Sequence, residues 1–164
     1  MRVLEVMHTP AVVCTPDMSL AAAAGELCKN GCGCLPVVGE GGNVIGMITD
    51  RDIGMALARS GDEPSKVPVW EAMRHKLFTC SREDDVHCAL KTFRAQKIRR
   101  LPVVNRTGVI EGVLCLDDIV LRAQPDAGKS AISFEDVVKT YQSICTRDDP
   151  GLNRRAPAAK RAAG

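Results

Sequence analysis

A glycine, a threonine and an aspartate are spaced so that together they could bind a phosphorylated sugar. Gly46 lies near the end of an apolar stretch, where backbone must approach another group closely, and Thr49 follows where a helical pattern begins. The Thr49 hydroxyl and the unpaired N–H groups of that first turn favour a phosphate. Asp52 lies one turn further on, and its carboxylate can accept both hydroxyls of a ribose. Alternatively, Thr49 only caps its helix and Asp52 is a solvated first-turn charge.

The motif occurs a second time, 66 residues later, with weaker chemistry. Asp118 is the counterpart of Asp52. Cys115, however, replaces the threonine, and Asp117 replaces Arg51. A thiol is a weak hydrogen-bond donor and acceptor, and an added carboxylate repels a phosphate. We therefore expect two unequal sites, with Asp52 more important for nucleotide binding than Asp118.

The two motifs belong to a longer duplication. Residues 3–53 align with residues 69–119 without a gap, and thirteen of the 51 aligned pairs are identical. Two copies of one folding unit usually stack, because neither buries its apolar face alone. The predicted elements are strands at 11–14, 35–38 and 44–48 with helices over 19–30 and 51–59, then strands at 77–80, 101–104 and 109–114 with helices over 69–73, 85–96 and 117–123.

The duplication sets the organisation of the chain. The first repeat covers residues 3–61, a linker residues 62–68, and the second repeat residues 69–124. A further helix is predicted within residues 131–146, because Ser133 precedes an apolar stripe in an N-cap position. That stripe comprises Phe134, Val137, Val138, Tyr141 and Ile144. Residues 147–164 are rich in Ala, Arg and Pro without an apolar period, which predicts a disordered tail.

Composition excludes several classes of function. Hydrophobic residues make up 45% of the 164 residues but aromatic residues only 3%, so the core must be aliphatic. The net charge is +2, of which residues 147–164 supply +3, so the rest is nearly neutral. A nucleic-acid partner is therefore not expected. No apolar run approaches a membrane span and the first residues lack a signal-peptide pattern, so we expect a cytoplasmic protein.

The eight cysteines are then expected to be reduced thiols. Cys28, Cys32 and Cys34 lie close together, but their spacing is not that of a structural zinc site, and we expect no bound metal. A redox role stays open, because exposed thiols oxidise when they are activated. The chain shows no nucleophile with a base and an orienting group, so we expect no enzyme activity.

The duplicated pattern of Leu-Pro-Val-Val followed by Gly, two apolar residues, Ser/Thr and Asp resembles the CBS (cystathionine-β-synthase) domain pair, or Bateman module. The resemblance covers roughly residues 3–122. It implies an α+β fold in which two β-α-β-β-α repeats pack with pseudo-twofold symmetry and leave two clefts between them. The C-terminal helix and the disordered tail are additions to that fold. The clefts of this family commonly hold AMP, ADP, ATP or S-adenosylmethionine, and sometimes NAD.

The resemblance also implies which residues bind the ligand. Arg99 and Arg100 stand where basic residues of the family reach phosphates, sometimes in the neighbouring site. The expected binding residues are Val13, Cys14, Leu35, Pro36, Thr49, Arg51, Asp52, Cys80, Arg99, Arg100, Leu101, Pro102, Cys115 and Asp118. No catalytic cofactor is expected.

The expected function is that of a non-catalytic sensor for an adenine nucleotide, which passes its occupancy to an unknown protein partner. We also expect a homodimer, because the family pairs through the helices beside the motif. Apolar residues extend there in this chain: Met55, Leu57, Val120 and Leu121. A thiol-based redox sensor and a purely structural dimerisation module are the alternatives.

Overall fold

The computed structural model describes residues 1–125 and 131–146, and both repeats have the same order of elements. The first repeat contains α1 (Leu20–Asn30), β1 (Cys34–Val38), β2 (Val44–Thr49) and α2 (Asp50–Ser60). The second contains α3 (Val86–Gln96), β3 (Arg100–Val104), β4 (Ile110–Cys115) and α4 (Leu116–Val120), and α5 (Phe134–Cys145) follows. The predicted disordered tail, residues 147–164, lies outside the described residues.

The helices begin and end at residues with capping chemistry. Ser19 caps α1 and Asp85 caps α3, each by accepting a hydrogen bond from a backbone N–H of the first turn. Gly31 ends α1 in the left-handed conformation at φ 60°, and Lys97 ends α3 in the same way at φ 52°. Ser133 caps α5, as its position in the sequence predicts.

Each repeat contains one antiparallel hairpin, β1 with β2 and β3 with β4, and the two hairpins share one register. The predicted strands 11–14 and 77–80 are each reduced to a single bridging residue. Cys14 adds a parallel bridge to β1, and Cys80 adds the equivalent bridge to β3. Their backbone N–H groups donate to proline carbonyls of those strands at 3.0 Å and 3.1 Å. The order of elements is therefore as predicted, with shorter outer strands.

The segments that precede the first helix of each repeat are exchanged between the two cores. We call residues 1–8 and 67–74 the leading segments. Val3, in the first of them, is fully buried in the core of the second repeat. Val69, its counterpart, is fully buried in the core of the first repeat. The predicted fold class of two repeats with pseudo-twofold symmetry is confirmed, and the repeats are intertwined as well as stacked.

The motif glycines lie where the leading segments cross the hairpins. The backbone of His8 exchanges two hydrogen bonds with β4, and the backbone of Arg74 exchanges two with β2. A Cβ atom on Gly112 would lie 2.5 Å from the carbonyl oxygen of His8. A Cβ on Gly46 would lie 2.8 Å from the sulfur of Met73 and 3.1 Å from the carbonyl oxygen of Arg74. The close approach expected at Gly46 is thus to the opposite leading segment.

The helix outside the repeats, α5, packs against α3 and α4. The residues that it turns toward the second core are Val137, Thr140, Tyr141 and Ile144. A side-chain hydrogen bond joins it to α3, because Arg94 Nη1 donates to Thr140 Oγ1 at 3.2 Å. Phe134 and Val138, which the apolar pattern placed on the same stripe, are each 52% exposed. The buried face is therefore narrower than the pattern predicts.

Candidate functional site

Two clefts lie between the repeats at positions related by the 66-residue offset. The Thr49 cleft has a volume of about 770 Å³ and is lined by Met47, Thr49, Asp50, Arg51, residues 74–78, residues 96–100, Pro102 and Ile144. The Cys115 cleft has a volume of about 370 Å³ and is lined by His8, residues 10–12, residues 30–34, Arg100, Val113, Cys115, Asp117 and Asp118. Each therefore combines the motif of one repeat with the leading segment of the other. Both volumes are typical of small-molecule sites.

The charged residues of the two clefts differ in sign. The basic residues that line the Thr49 cleft are Arg51, Arg74, His75, Lys76, Lys97, Arg99 and Arg100, and Asp50 is the acidic residue among its lining. In the Cys115 cleft two carboxylates, of Asp117 and Asp118, face Arg100 and His8. An anionic ligand is therefore attracted to the Thr49 cleft and disfavoured in the other.

Arg99 and Arg100 belong to the cleft that contains Thr49. Arg100 also reaches the Cys115 cleft, whereas Arg99 does not line it. A Cβ on Gly33 would lie 2.7 Å from Arg100 Nη2, so this glycine leaves the space through which the guanidinium extends. Arg99 is held over the ring of Tyr141, with 5.9 Å from its guanidinium carbon to the ring centroid. Of the two arginines, only Arg100 can therefore supply a positive charge to the Cys115 cleft and offset its weaker motif.

The Thr49 hydroxyl and the Asp52 carboxylate are bonded to each other at the start of α2. Thr49 Oγ1 donates to Asp52 Oδ2 at 2.6 Å and accepts from the Asp52 N–H at 3.2 Å. Arg74 donates to the other oxygen, Oδ1, at 2.9 Å and 2.8 Å. Thr49 does cap its helix, as the alternative interpretation held, but Asp52 is not solvated, because its side chain is only 11% exposed. Asp52 does not line the Thr49 cleft, but its hydrogen bonds hold Thr49 and Arg74, which do.

Asp118 is less completely bonded than its counterpart. Its Oδ1 contacts His8 Nε2 at 2.9 Å. Its Oδ2 is buried and accepts no hydrogen bond from the residues that the structure describes. Cys115, at the N-cap of α4, makes no capping bond with its side chain. An acceptor oxygen beside a cleft with no donor is the kind of group that a ligand hydroxyl satisfies.

Two copies of one sequence pattern underlie this arrangement. The sequence model of the CBS domain matches residues 3–59 and again residues 69–124. The chain belongs to the CBS-domain family. Its two CBS domains form a pair within one chain, and both clefts lie between them.

Several proteins with a similar sequence or structure also contain CBS domains. The CBS domain-containing protein YhcV of Bacillus subtilis is 29% identical over 119 residues, which are 73% of this chain and 83% of YhcV. The CBS domain pair of protein MJ0100, solved with 5′-methylthioadenosine and S-adenosyl-L-methionine, is 26% identical with a TM-score of 0.68 over 74% of this chain and 94% of that one. A CBS domain protein of unknown function from Thermoplasma acidophilum, TA0289, has a TM-score of 0.75 at 21% identity over 90% of this chain and 78% of that one, which shows the fold alone.

Half of the fourteen predicted binding residues line a cleft of the CBS pair. They are Thr49, Arg51, Arg99, Arg100 and Pro102 in one cleft, and Arg100, Cys115 and Asp118 in the other. Asp52 and Val13 line neither cleft, and the remaining five, Cys14, Leu35, Pro36, Cys80 and Leu101, are buried. Burial raises the pKa of the Cys14 and Cys80 thiols to about 12, so both stay protonated.

Several residues that line the clefts of the CBS pair were not predicted. Val12 lines the Cys115 cleft instead of the adjoining Val13, because side chains alternate between faces along an extended segment. Phe78, the equivalent of Val12 in the second repeat, lines the Thr49 cleft. The basic run Arg74, His75 and Lys76 lines the Thr49 cleft. The sequence did contain a signal for this, because three consecutive basic residues directly follow the predicted helix 69–73. Ile144 also lines this cleft, but it lies in α5, outside the repeats, so the repeat pattern could not predict its position.

Two kinds of feature are not found among the residues that the structure describes. Among residues 1–125 and 131–146, no three His, Cys, Asp or Glu side chains converge in a way that could hold a metal ion. None of the helices that the structure describes is long and apolar enough to cross a membrane.

Proposed function

We propose that this chain is a non-catalytic regulatory module that binds adenosine-containing ligands in the clefts of its CBS pair, with a phosphorylated adenine nucleotide in the Thr49 cleft. The charge of that cleft carries the proposal. Six Lys or Arg side chains and one His line it, together with one acidic residue. Such a surface favours a ligand with several negative charges.

The remaining lining of the Thr49 cleft fits the other parts of a nucleotide. Leu77, Phe78, Pro102 and Ile144 offer an apolar wall for the adenine ring. The cleft also meets the first turn of the eleven-residue helix α2, whose backbone dipole favours a phosphate there. The volume of about 770 Å³ accommodates a base, a ribose and a phosphate chain.

The Cys115 cleft fits an adenosyl ligand without phosphates. The free Oδ2 of Asp118 can accept a hydrogen bond from a ribose hydroxyl, as acidic residues do in dinucleotide sites. The carboxylates of Asp117 and Asp118 disfavour phosphates and favour a neutral or cationic substituent at the ribose 5′ position. The MJ0100 pair was solved with ligands of that chemistry, 5′-methylthioadenosine and S-adenosyl-L-methionine.

Regulation follows from the position of the clefts between the repeats. A ligand in either cleft contacts the motif of one repeat and the leading segment of the other. It therefore favours one packing of the two repeats over another, and a ligand shifts only an equilibrium whose states it distinguishes. A homodimer and an unidentified protein partner would read that shift.

Isothermal titration calorimetry with AMP, ADP, ATP, S-adenosylmethionine, NAD and adenosine tests the proposal. We expect affinity to rise from AMP to ATP and to weaken with salt. The double variant Arg99→Gln/Arg100→Gln should bind ATP at least about tenfold more weakly, since a hydrogen bond to a charged group contributes about 1.5–3 kcal/mol. The variant Arg106→Gln/Arg122→Gln changes charge equally at exposed positions outside both clefts and is the control.

Three outcomes would contradict the assignment. ATP and adenosine could bind equally, so that the basic residues contribute nothing. The two double variants could lose equal affinity, which would make the effect one of overall charge. No heat and no thermal shift with any of these ligands would favour a structural dimerisation module instead.

A further inference from the structure

Two cysteine thiols from opposite repeats meet in the Cys115 cleft, and the proposed nucleotide binding uses neither. Cys34 is the first residue of β1 and Cys115 the last of β4, and both line this cleft. Their side chains are close enough to interact directly. Cys34 is 5% exposed, and Cys115 is half-buried. The equivalent positions on the other side of the pseudo-twofold axis are Arg100 and Thr49, so the pair of thiols occurs in one cleft alone.

The backbone geometry around these cysteines keeps them together. Cys115 pairs with Arg100 across the β3–β4 hairpin. The guanidinium of Arg100 extends to the position of Gly33, where an added Cβ would lie 2.7 Å from Nη2. Gly33 directly precedes Cys34, so the start of β1 lies against the side chain that neighbours Cys115. The two thiols are thus juxtaposed by strands of both repeats.

The surroundings make the two thiols chemically different. The hydrogen bond from Cys34 and the charge of Arg100 lower the pKa of Cys115, although burial and the two nearby carboxylates oppose this. The same hydrogen bond, together with burial, raises the pKa of Cys34. Cys115 is also the more exposed of the two thiols, so it is the one that a peroxide in the cleft reaches first, and Cys34 lies beside it.

We propose that Cys34 and Cys115 form a disulfide bond across the two repeats when the protein meets hydrogen peroxide. This inference does not rest on the nucleotide assignment. The Cys115 thiolate attacks one peroxide oxygen, the O–O bond breaks, and the departing hydroxide takes a proton to become water. The Cys34 sulfur then attacks the resulting sulfenic sulfur, the S–O bond breaks, and the hydroxyl leaves with the Cys34 proton as a second water. Two thiols lose two electrons and two protons, and one peroxide becomes two waters.

The bond changes the molecule because it ties β1 of the first repeat to β4 of the second. A cross-link between distant positions lowers the entropy of the unfolded chain. We expect oxidation to raise the midpoint of thermal unfolding by roughly 5–15 °C, the range given by typical disulfide stabilities in a chain of this size. The bond also lies in the lining of the Cys115 cleft, so ligand access there should fall while the Thr49 cleft stays open.

Peptide mapping after treatment with hydrogen peroxide tests this directly on the full chain. The wild type should lose two hydrogen atoms in mass, yield a Cys34–Cys115 cross-linked peptide without reductant, and recover with dithiothreitol. Cys34→Ser and Cys115→Ser should each lose the cross-link and the rise in unfolding midpoint. Cys28→Ser/Cys88→Ser, which changes two exposed thiols elsewhere, should keep both.

Other results would overturn the proposal. A cross-link that maps to Cys32 would assign a different partner in the same cleft. Addition of oxygen to Cys115 without a cross-link would show that Cys34 does not resolve the sulfenic acid. Oxidation confined to Cys28, Cys88 or Cys145 would mean that exposure alone decides reactivity. The wild-type map decides among these even where a serine variant fails to fold.

Discussion

Arg74 holds Asp52 through two hydrogen bonds to a single carboxylate oxygen, at 2.9 Å from Nε and 2.8 Å from Nη2. The residue equivalent to Arg74 in the first repeat is His8, which makes one contact of 2.9 Å with Asp118. Each pair joins the leading segment of one repeat to the motif helix of the other. Asp52 is therefore held more firmly than Asp118, whose Oδ2 accepts no hydrogen bond from the residues that the structure describes.

Asp52→Ala should remove most nucleotide binding, because it releases both Thr49 and Arg74 from their present positions. Asp118→Ala should leave nucleotide binding in the Thr49 cleft largely intact. In the other cleft it should lower the affinity for an adenosyl ligand without phosphates. Asp52→Ala should also lower the unfolding free energy by roughly 1–2 kcal/mol, because it removes a half-exposed ion pair and the hydrogen bonds that the Thr49 N–H and hydroxyl donate to the carboxylate. Calorimetry with ATP and with S-adenosylmethionine checks the ranking. It is wrong if Asp118→Ala removes the tighter ATP site and Asp52→Ala does not.

Gly112→Ala should destabilise the chain by about 1–3 kcal/mol, since the new methyl would lie 2.5 Å from the backbone oxygen of His8 and neither strand can move alone. Gly25→Ala in α1 is the matched control, because its Cβ would meet nothing within 4 Å. Replacing this helix-interior glycine with alanine should raise the free energy of unfolding by as much as about 1 kcal/mol. Urea unfolding of both variants measures the difference, and an equal effect of the two substitutions would refute the close-contact explanation.

Tyr141 should influence nucleotide affinity through its ring rather than its hydroxyl. The hydroxyl donates to Asp117 Oδ1 at 2.8 Å, and the ring lies under the Arg99 guanidinium. Tyr141→Phe keeps the ring, whereas Tyr141→Leu removes it and lets Arg99 leave the cleft wall. We expect calorimetry to show a two- to fivefold weaker affinity for ATP in the leucine variant, from about 0.5–1 kcal/mol of cation–π energy. An equal loss in the phenylalanine variant would assign the effect to the hydroxyl.

The predicted homodimer should depend on the exposed apolar residues of α2 and of the C-terminal end of α4. Met55 is 45% exposed and Leu121 is 82% exposed, whereas Leu57 packs into the first core and is not available to a partner. Met55→Glu/Leu121→Glu should convert a dimer into a monomer by light scattering, and Phe134→Glu on α5 should not. A wild-type chain that is monomeric at high concentration would contradict this assembly.

Acid should weaken the folded chain partly through the start of α5. The hydrogen bond from the Ser133 hydroxyl lowers the pKa of Asp136, so the carboxylate stabilises the folded state fully above the ordinary pKa of 3.8. That contribution is lost as pH falls through the lower value of the folded protein. Asp136→Asn should therefore show a smaller decline of stability below about pH 4, whereas Glu135→Gln should behave like the wild type.

The local features of the fold could be predicted from the sequence because they depend on neighbouring residues. Leu20, Ala23 and Leu27 are buried in α1 as their spacing predicts. Ala24, which helical spacing places on the same apolar stripe, is exposed, so the buried face of α1 is narrower than the stripe. The α4 helix ends at Val120, three residues before the predicted end.

Contacts between the repeats could not be predicted in the same way. Val3 and Val69 occupy equivalent positions of the two repeats and are the same residue. The sequence pattern therefore does not show whether each one packs into its own core or into the other core. The sequence left open whether Arg99 reaches its own site or the neighbouring one; it lines the cleft of the first motif, because each cleft is built from both repeats. The role of Tyr141 was also hidden, since it lies in a helix outside the duplication.

The exchange of the leading segments makes this chain a covalently joined form of a swapped dimer. During synthesis the first leading segment emerges before the rest of the two repeats, yet the core that it completes includes Ile119. The first leading segment must therefore remain unburied until nearly all of both repeats has been synthesised. A chain interrupted after the first repeat would carry one unmatched segment and one unfinished core, and each could be completed only by a second molecule.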